Sequence, residues 1–125
     1  MLATLVAVLA VPLLGGCGST GATSPATTTV APRSGTIAVQ ALDNRFEAKS
    51  ITITAGSTVT WTNDGSNTHD VVPAEGTDYG VKPDDFKPDA SYSATFATPG
   101  TYAYYCSLHG TATRGMTGTV VVVAP

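Results

Sequence analysis

The residues TIAVQAL, 36 to 42, put Ile37, Val39 and Ala41 on one side of an extended chain and polar or small groups on the other. That period-two pattern recurs down the sequence, and no segment carries the three-to-four spacing of a helix face. SITIT (50–54) repeats it with Ile51 and Ile53. STVTWTN (57–63) repeats it with Val59 and Trp61, and HDVV (69–72) follows. SYSATF (91–96) aligns Tyr92, Ala94 and Phe96, and TYAYYC (101–106) aligns Tyr102, Tyr104 and Cys106. TGTVVVV (117–123) ends the series. Thr, Val, Ile and Tyr fill these runs because branched and aromatic side chains pack well on a pleated surface. Turn residues separate them. Ala55-Gly56 divides the second run from the third, and Asn63-Asp64-Gly65 ends the third. Pro99-Gly100 suits a type II turn. Seven short strands predict an all-β fold, an antiparallel Greek-key β-sandwich or barrel of seven to eight strands. Residues 73–90, with three prolines, are the one long irregular stretch, with room for a single helical turn.

The N-terminal third reads differently. MLATLVAVLAVPLLGG is apolar and uncharged and too short for a stable transmembrane helix. It ends in Leu14-Gly15-Gly16-Cys17, which resembles the cleavage end of a bacterial lipoprotein signal, although no Lys or Arg follows Met1. An ordinary secretory signal and a buried helix are the alternatives. The lipoprotein reading makes residues 1–16 the signal and Cys17 the lipidated residue. Residues 17–35 are then a Ser/Thr/Pro linker too poor in apolar surface to fold, with a root-mean-square reach of roughly 25 Å. Residues 36–125 are the folded domain. This predicts an extracytoplasmic domain held to the membrane by lipid.

All fifteen charged residues follow position 32, and the net charge is −3. Neither a basic run nor a basic–aromatic interleaving is present, so nucleic acid is not an expected partner. Five acids and two lysines gather in residues 75–89. Such a run is ordinarily a solvated loop and can also serve as a docking face for a cationic partner.

The chain has two Cys, two His and two Met, and Met1 is the initiator. Within YYCSLHGTATRGMTG, residues 104–118, stand Cys106, His109 and Met116. The other histidine, His69, begins the HDVV run. Lipidation of Cys17 leaves Cys106 as the single thiol of the soluble part, open to oxidation unless buried or bound. One thiolate, two imidazoles and one thioether are a donor set suited to copper, and a trigonal plane with a weak axial Met is a blue-copper arrangement. Zinc is the main rival, but structural zinc prefers four strong ligands and a thioether is a weak one. Taken singly, Cys106 could be an inert core thiol, His109 half of a thiol–imidazole nucleophile, and Met116 core filler.

Together, FATPGTYAYYCSLHG, GMTGTVVVV and NTHDVV resemble the small blue copper proteins, the cupredoxins of plastocyanin, amicyanin and halocyanin type. The resemblance covers nearly the whole domain. It implies one type 1 copper site cycling between Cu(I) and Cu(II). His69, Cys106 and His109 would be strong ligands and Met116 the axial one. It further implies a monomeric one-electron carrier, not an enzyme, which docks transiently on redox partner proteins near His109. A protein that stores or delivers copper is the alternative. Two histidines are too few for a trinuclear oxidase cluster, and one domain cysteine is too few for a thiolate-bridged pair. Two departures stand out. Six residues separate His109 from Met116, more than in plastocyanin or amicyanin loops, which predicts a loop bulging outward. Asp70 stands where the plastocyanin-like pattern commonly has Asn, a position that ties the two ligand loops together. Tyr102 is placed for a tyrosine-corner hydrogen bond.

Overall fold

The structure is a computed structural model and describes residues 29–125. The signal, Cys17 and most of the linker expected from the sequence lie outside the described residues. Eight strands are present among them: β1 (Thr36–Leu42), β2 (Arg45–Glu47), β3 (Ser50–Thr54), β4 (Ser57–Asn63), β5 (Val72–Pro73), β6 (Ser91–Phe96), β7 (Gly100–Thr111) and β8 (Arg114–Val123). They form two four-stranded sheets, ordered β2-β1-β4-β6 and β3-β8-β7-β5. The chain changes sheet at five of its seven connections, the Greek-key wiring of a sandwich.

Six of the seven expected strands fall where the alternation put them, and their inward residues meet in the core. Val39, Ile53, Val59, Trp61 and Val120 are fully buried. Trp61 is the centre. Its ring lies 5.4 Å from Tyr104, 5.7 Å from Tyr92 and 6.2 Å from Tyr79, centroid to centroid. Tyr104 in turn packs over Gly118, where a Cβ would fall 2.3 Å from the ring. Glycine there lets an aromatic ring lie across its neighbouring strand. The outer face of β4 and β6 is a row of hydroxyl pairs, Thr58–Thr95, Thr60–Ser93 and Thr62–Ser91.

Four readings are corrected. The sheets are mixed rather than antiparallel, because β1 pairs parallel with β4 and β3 parallel with β8. Alternation reports which face is buried and carries no information on strand direction. HDVV is not a strand as a whole. Val71 makes one bridge to Val81, and only Val72–Pro73 pairs with β7. Pro99-Gly100 is not a type II turn, since Gly100 has φ 159°, an extended value, and opens β7. Order also begins before residue 36: Arg33 N–H donates to Thr52 O, and Arg33 O accepts from Thr54 N–H. β2 went unseen because three residues with one apolar side chain, Phe46, make no period.

Other expectations hold. The irregular stretch contains one short 3-10 turn, Pro83–Asp85. Tyr102 donates its hydroxyl proton to Thr98 O at 2.7 Å, closing the corner at the start of β7.

Candidate metal centre

β7 and β8 form a hairpin whose register breaks once. Tyr105 pairs with Thr117, and the next pairs are Gly110 with Gly115 and Thr111 with Arg114. Four residues of β7, Cys106 to His109, therefore face one residue of β8, Met116. This bulge gathers the candidates locally. It turns Cys106 and His109, three apart, toward a common point and leaves Met116 buried opposite them. Two glycines make the neck possible. A Cβ at Gly110 would meet Arg114 O at 2.5 Å, and one at Gly115, which has φ 78°, would meet His109 O at 2.5 Å. The residues expected to form a flexible outward loop are thus a paired hairpin with Ala112-Thr113 at its tip.

His69 arrives from the other side of the sandwich. Its segment is held without a strand: His69 N–H donates to Phe86 O at 3.2 Å. The same carbonyl accepts from Asn63 Nδ2, which also reaches Asn67 O. Asn63 Oδ1 accepts from Gly65 N–H. Asn63 and Phe86 are fully buried and build the loop that presents His69. Sequence reasoning used Asn63 only as a turn residue and did not single out Phe86. The signal available was a lone Phe within an acidic stretch, which has no reason to be there unless it is an anchor.

The donors converge. Cys106 Sγ lies 3.6 Å from His69 Nδ1 and 3.5 Å from His109 Nδ1, and the three ligand atoms all lie within 4.8 Å of one another. Cys106 and His69 are wholly buried, and His109 is half-buried. An ion held at about 2.0 Å from nitrogen and about 2.3 Å from sulfur, with 120° between the bonds, requires a sulfur–nitrogen separation of roughly 3.7 Å. The pocket matches that requirement as it stands. Nδ1 of each ring faces the sulfur, and Nε2 of His69 is buried with no hydrogen-bond partner among the described residues.

The protonation states suit a cation. Burial, then the neighbouring His109, lowers the pKa of His69 and keeps the ring neutral, with a lone pair to give. Burial pushes the Cys106 thiol up, while backbone N–H groups of Asp70 and Leu108 pull it back down. The free protein therefore holds a thiol here, and a bound metal ion would displace its proton.

Asp70 joins the two halves of the site. Its Oδ1 accepts from Ser107 N–H at 2.7 Å, and its Oδ2 accepts from the Ser107 hydroxyl. The carboxylate is 3% exposed. This is the loop-tying role expected of the position, with an acceptor-only side chain and a formal charge. Ser107, its partner, carried no mark in the sequence.

A Greek-key sandwich with a buried thiol and two imidazoles converging at one pole defines a small metal-binding domain. Residues 34–123 match the copper binding proteins of the plastocyanin/azurin family. Plastocyanin of Scenedesmus fuscus is 41% identical over 85 residues, which span 62% of this chain and 85% of that protein. The chain spans little more than half, 57%, of the chloroplastic plastocyanin of Tetradesmus obliquus, also 41% identical. A reduced amicyanin variant superposes with a TM-score of 0.60 at 33% identity, over 71% of this chain and 83% of that one. The chain belongs to the copper-binding plastocyanin/azurin family, and its cofactor is copper at one type 1 site. The relatives are plastocyanins and amicyanins, carriers rather than enzymes.

Proposed function

We propose that this protein is an extracytoplasmic one-electron carrier, with His69, Cys106 and His109 as the equatorial copper ligands and Met116 as the axial one. The observation that carries the reading is the meeting of a buried sulfur and two imidazole Nδ1 atoms at the spacing of a trigonal plane. Met116 is supported by its buried position opposite the bulge. Copper, when bound, supplies a one-electron couple.

The protein's own contribution is rigidity and insulation. The sandwich holds Cys106 on β7 and the Asn63–Phe86 loop holds His69, so the donors stay put when charge changes. Burial of the sulfur excludes water and outside thiols. The N–H groups of Asp70 and Leu108 toward the sulfur tune its electron donation. Half-buried His109, with exposed Leu108 and half-buried Gly110 beside it, offers a contact through which a partner protein docks briefly over a small area. Complete burial of Cys106 in a strand weighs against the storage or delivery reading, because a metal donor must open its site to exchange.

The tethered part of the reading rests on Cys17 and the linker, and strand directions lend it support. The chain comes into the domain at Arg33 and Thr36, which pair with Ile53 and Thr58. The donors lie past Asn63 and Tyr105, at the other end of strands about 23 Å long. A lipid on Cys17 would thus leave the metal pole the farther one from the membrane. The domain is taken to act as a monomer.

The test is direct. Cu(II) added to the metal-free protein is expected to give intense blue colour with narrow copper hyperfine splitting. Colourless, rapidly exchanging Cu(I) binding would instead favour delivery, and no binding would end both.

Asp70 provides a second check. A buried carboxylate beside the site favours the more positive, oxidised state. Asp70→Asn is therefore expected to raise the reduction potential, on the order of tens of mV, in protein-film voltammetry. An unchanged potential would mean that the charge is not felt at the metal.

A further inference from the structure

The hairpin closing the metal pole carries the six residues between His109 and Met116. It stands beside the half-buried histidine. Past Tyr105 and Thr117 the two strands lose their outer neighbours. β5 pairs with Tyr104 and Tyr105 only, and β3 reaches β8 no nearer than Thr119. β7 and β8 run on alone to the Thr111–Arg114 pair, three residues further along β8, or about 10 Å. Residues 111–115 are exposed, and the neck glycines press this arm directly against the His109 backbone. Next to His109 on the other side is Leu108, 52% exposed, one of two large exposed apolar residues among the described residues.

The geometry points to residues 110–115 as a fence that decides which surfaces reach His109. The inference rests on the carrier reading and names its selectivity. A flat partner laid on this pole meets the hairpin tip before it meets the imidazole edge or Leu108. A second copy of this chain is such a partner, and it carries its own tip, so two arms hold the two metal poles apart. A partner with a narrow or recessed docking edge passes beside the arm and covers Leu108 and His109. The neck pair Gly110–Gly115 returns Met116 to the site, so the residues beyond it are left to serve selection.

Electron self-exchange measures this without an identified partner. One electron passes from a reduced copy to an oxidised copy, so one is oxidised as the other is reduced and nothing else is consumed. In copper-loaded protein, removing residues 111–114 and joining Gly110 to Gly115 is expected to raise the self-exchange rate at least tenfold, read from NMR line broadening in mixtures of the two states. A metal-free readout runs in parallel. Amide shifts of Leu108 and Gly110 are expected to stay constant with protein concentration in the parent, and to move with concentration once the tip is removed. The idea is overturned if tip removal leaves both the rate and the shifts unchanged. It is equally overturned if those shifts move with concentration in the parent, and that result decides alone should the shortened protein fail to hold copper. Loss of blue colour in the parent would instead count against the carrier reading, and the metal-free shifts would still judge the fence.

Discussion

Cys106→Ser is expected to abolish the blue colour completely while leaving the sandwich folded. The intense absorption of such a site belongs to a copper–thiolate bond, and a serine hydroxyl is a hard, weakly acidic donor that does not replace a soft sulfur. Copper affinity should fall by more than the roughly hundredfold that loss of a supporting hydrogen bond to a ligand costs. The fold should persist because exchanging sulfur for oxygen removes little volume at this buried position, and both imidazole nitrogens remain near to partner the new hydroxyl. Visible absorption, copper titration and far-ultraviolet circular dichroism on one sample make the comparison. Retained colour would remove Cys106 from the site, and with it the proposed function.

Trp61→Ala has the largest expected effect on stability. The ring is fully buried and touches Tyr79, Tyr92, Phe96 and Tyr104 across both sheets. Truncation leaves a cavity walled by rigid aromatic rings held in place by other contacts, such as Phe46 against Tyr104 at 4.9 Å. These rings cannot collapse into the space. The expected loss is about 4 kcal/mol. For a domain of this size that is a fall of roughly 20 °C in melting temperature. The measurement is denaturant unfolding of the metal-free protein, because bound copper would mask the change by mass action. A loss under about 1 kcal/mol would mean that the centre of the sandwich repacks freely, contrary to the interlocked rings described above.

The site was legible to the extent that its donors are chemically rare. Cys106, His109 and Met116 stood out because the chain has so few of each, and their closeness in sequence becomes closeness in space through a local device, the four-against-one bulge. His69 was the only histidine left to complete the set. What held these residues was harder to read. Asn63, Phe86 and Ser107 are ordinary residues whose roles arise from partners far away in the chain. Phe86 O accepts from His69 and Asn63, and Ser107 answers to Asp70, 37 residues earlier. The hairpin was misread for a related reason. GTATRG has the composition of a flexible loop, yet Gly110 and Gly115 let two backbones approach closely enough to pair.

Alternation along the chain determined by itself which side chains face inward, because a period of two follows from the geometry of any extended backbone. That sufficed for an all-β sandwich with Trp61, Tyr104, Val120 and Val122 inside. Strand direction and partner were decided only in three dimensions. The parallel pairs β1–β4 and β3–β8 arise from where the chain crosses between sheets, and a crossing leaves no periodic trace. The chemistry of the centre was likewise written in residue types, while its geometry, a sulfur and two nitrogens spaced for one ion, exists only once loops 37 residues apart are clamped together by buried hydrogen bonds.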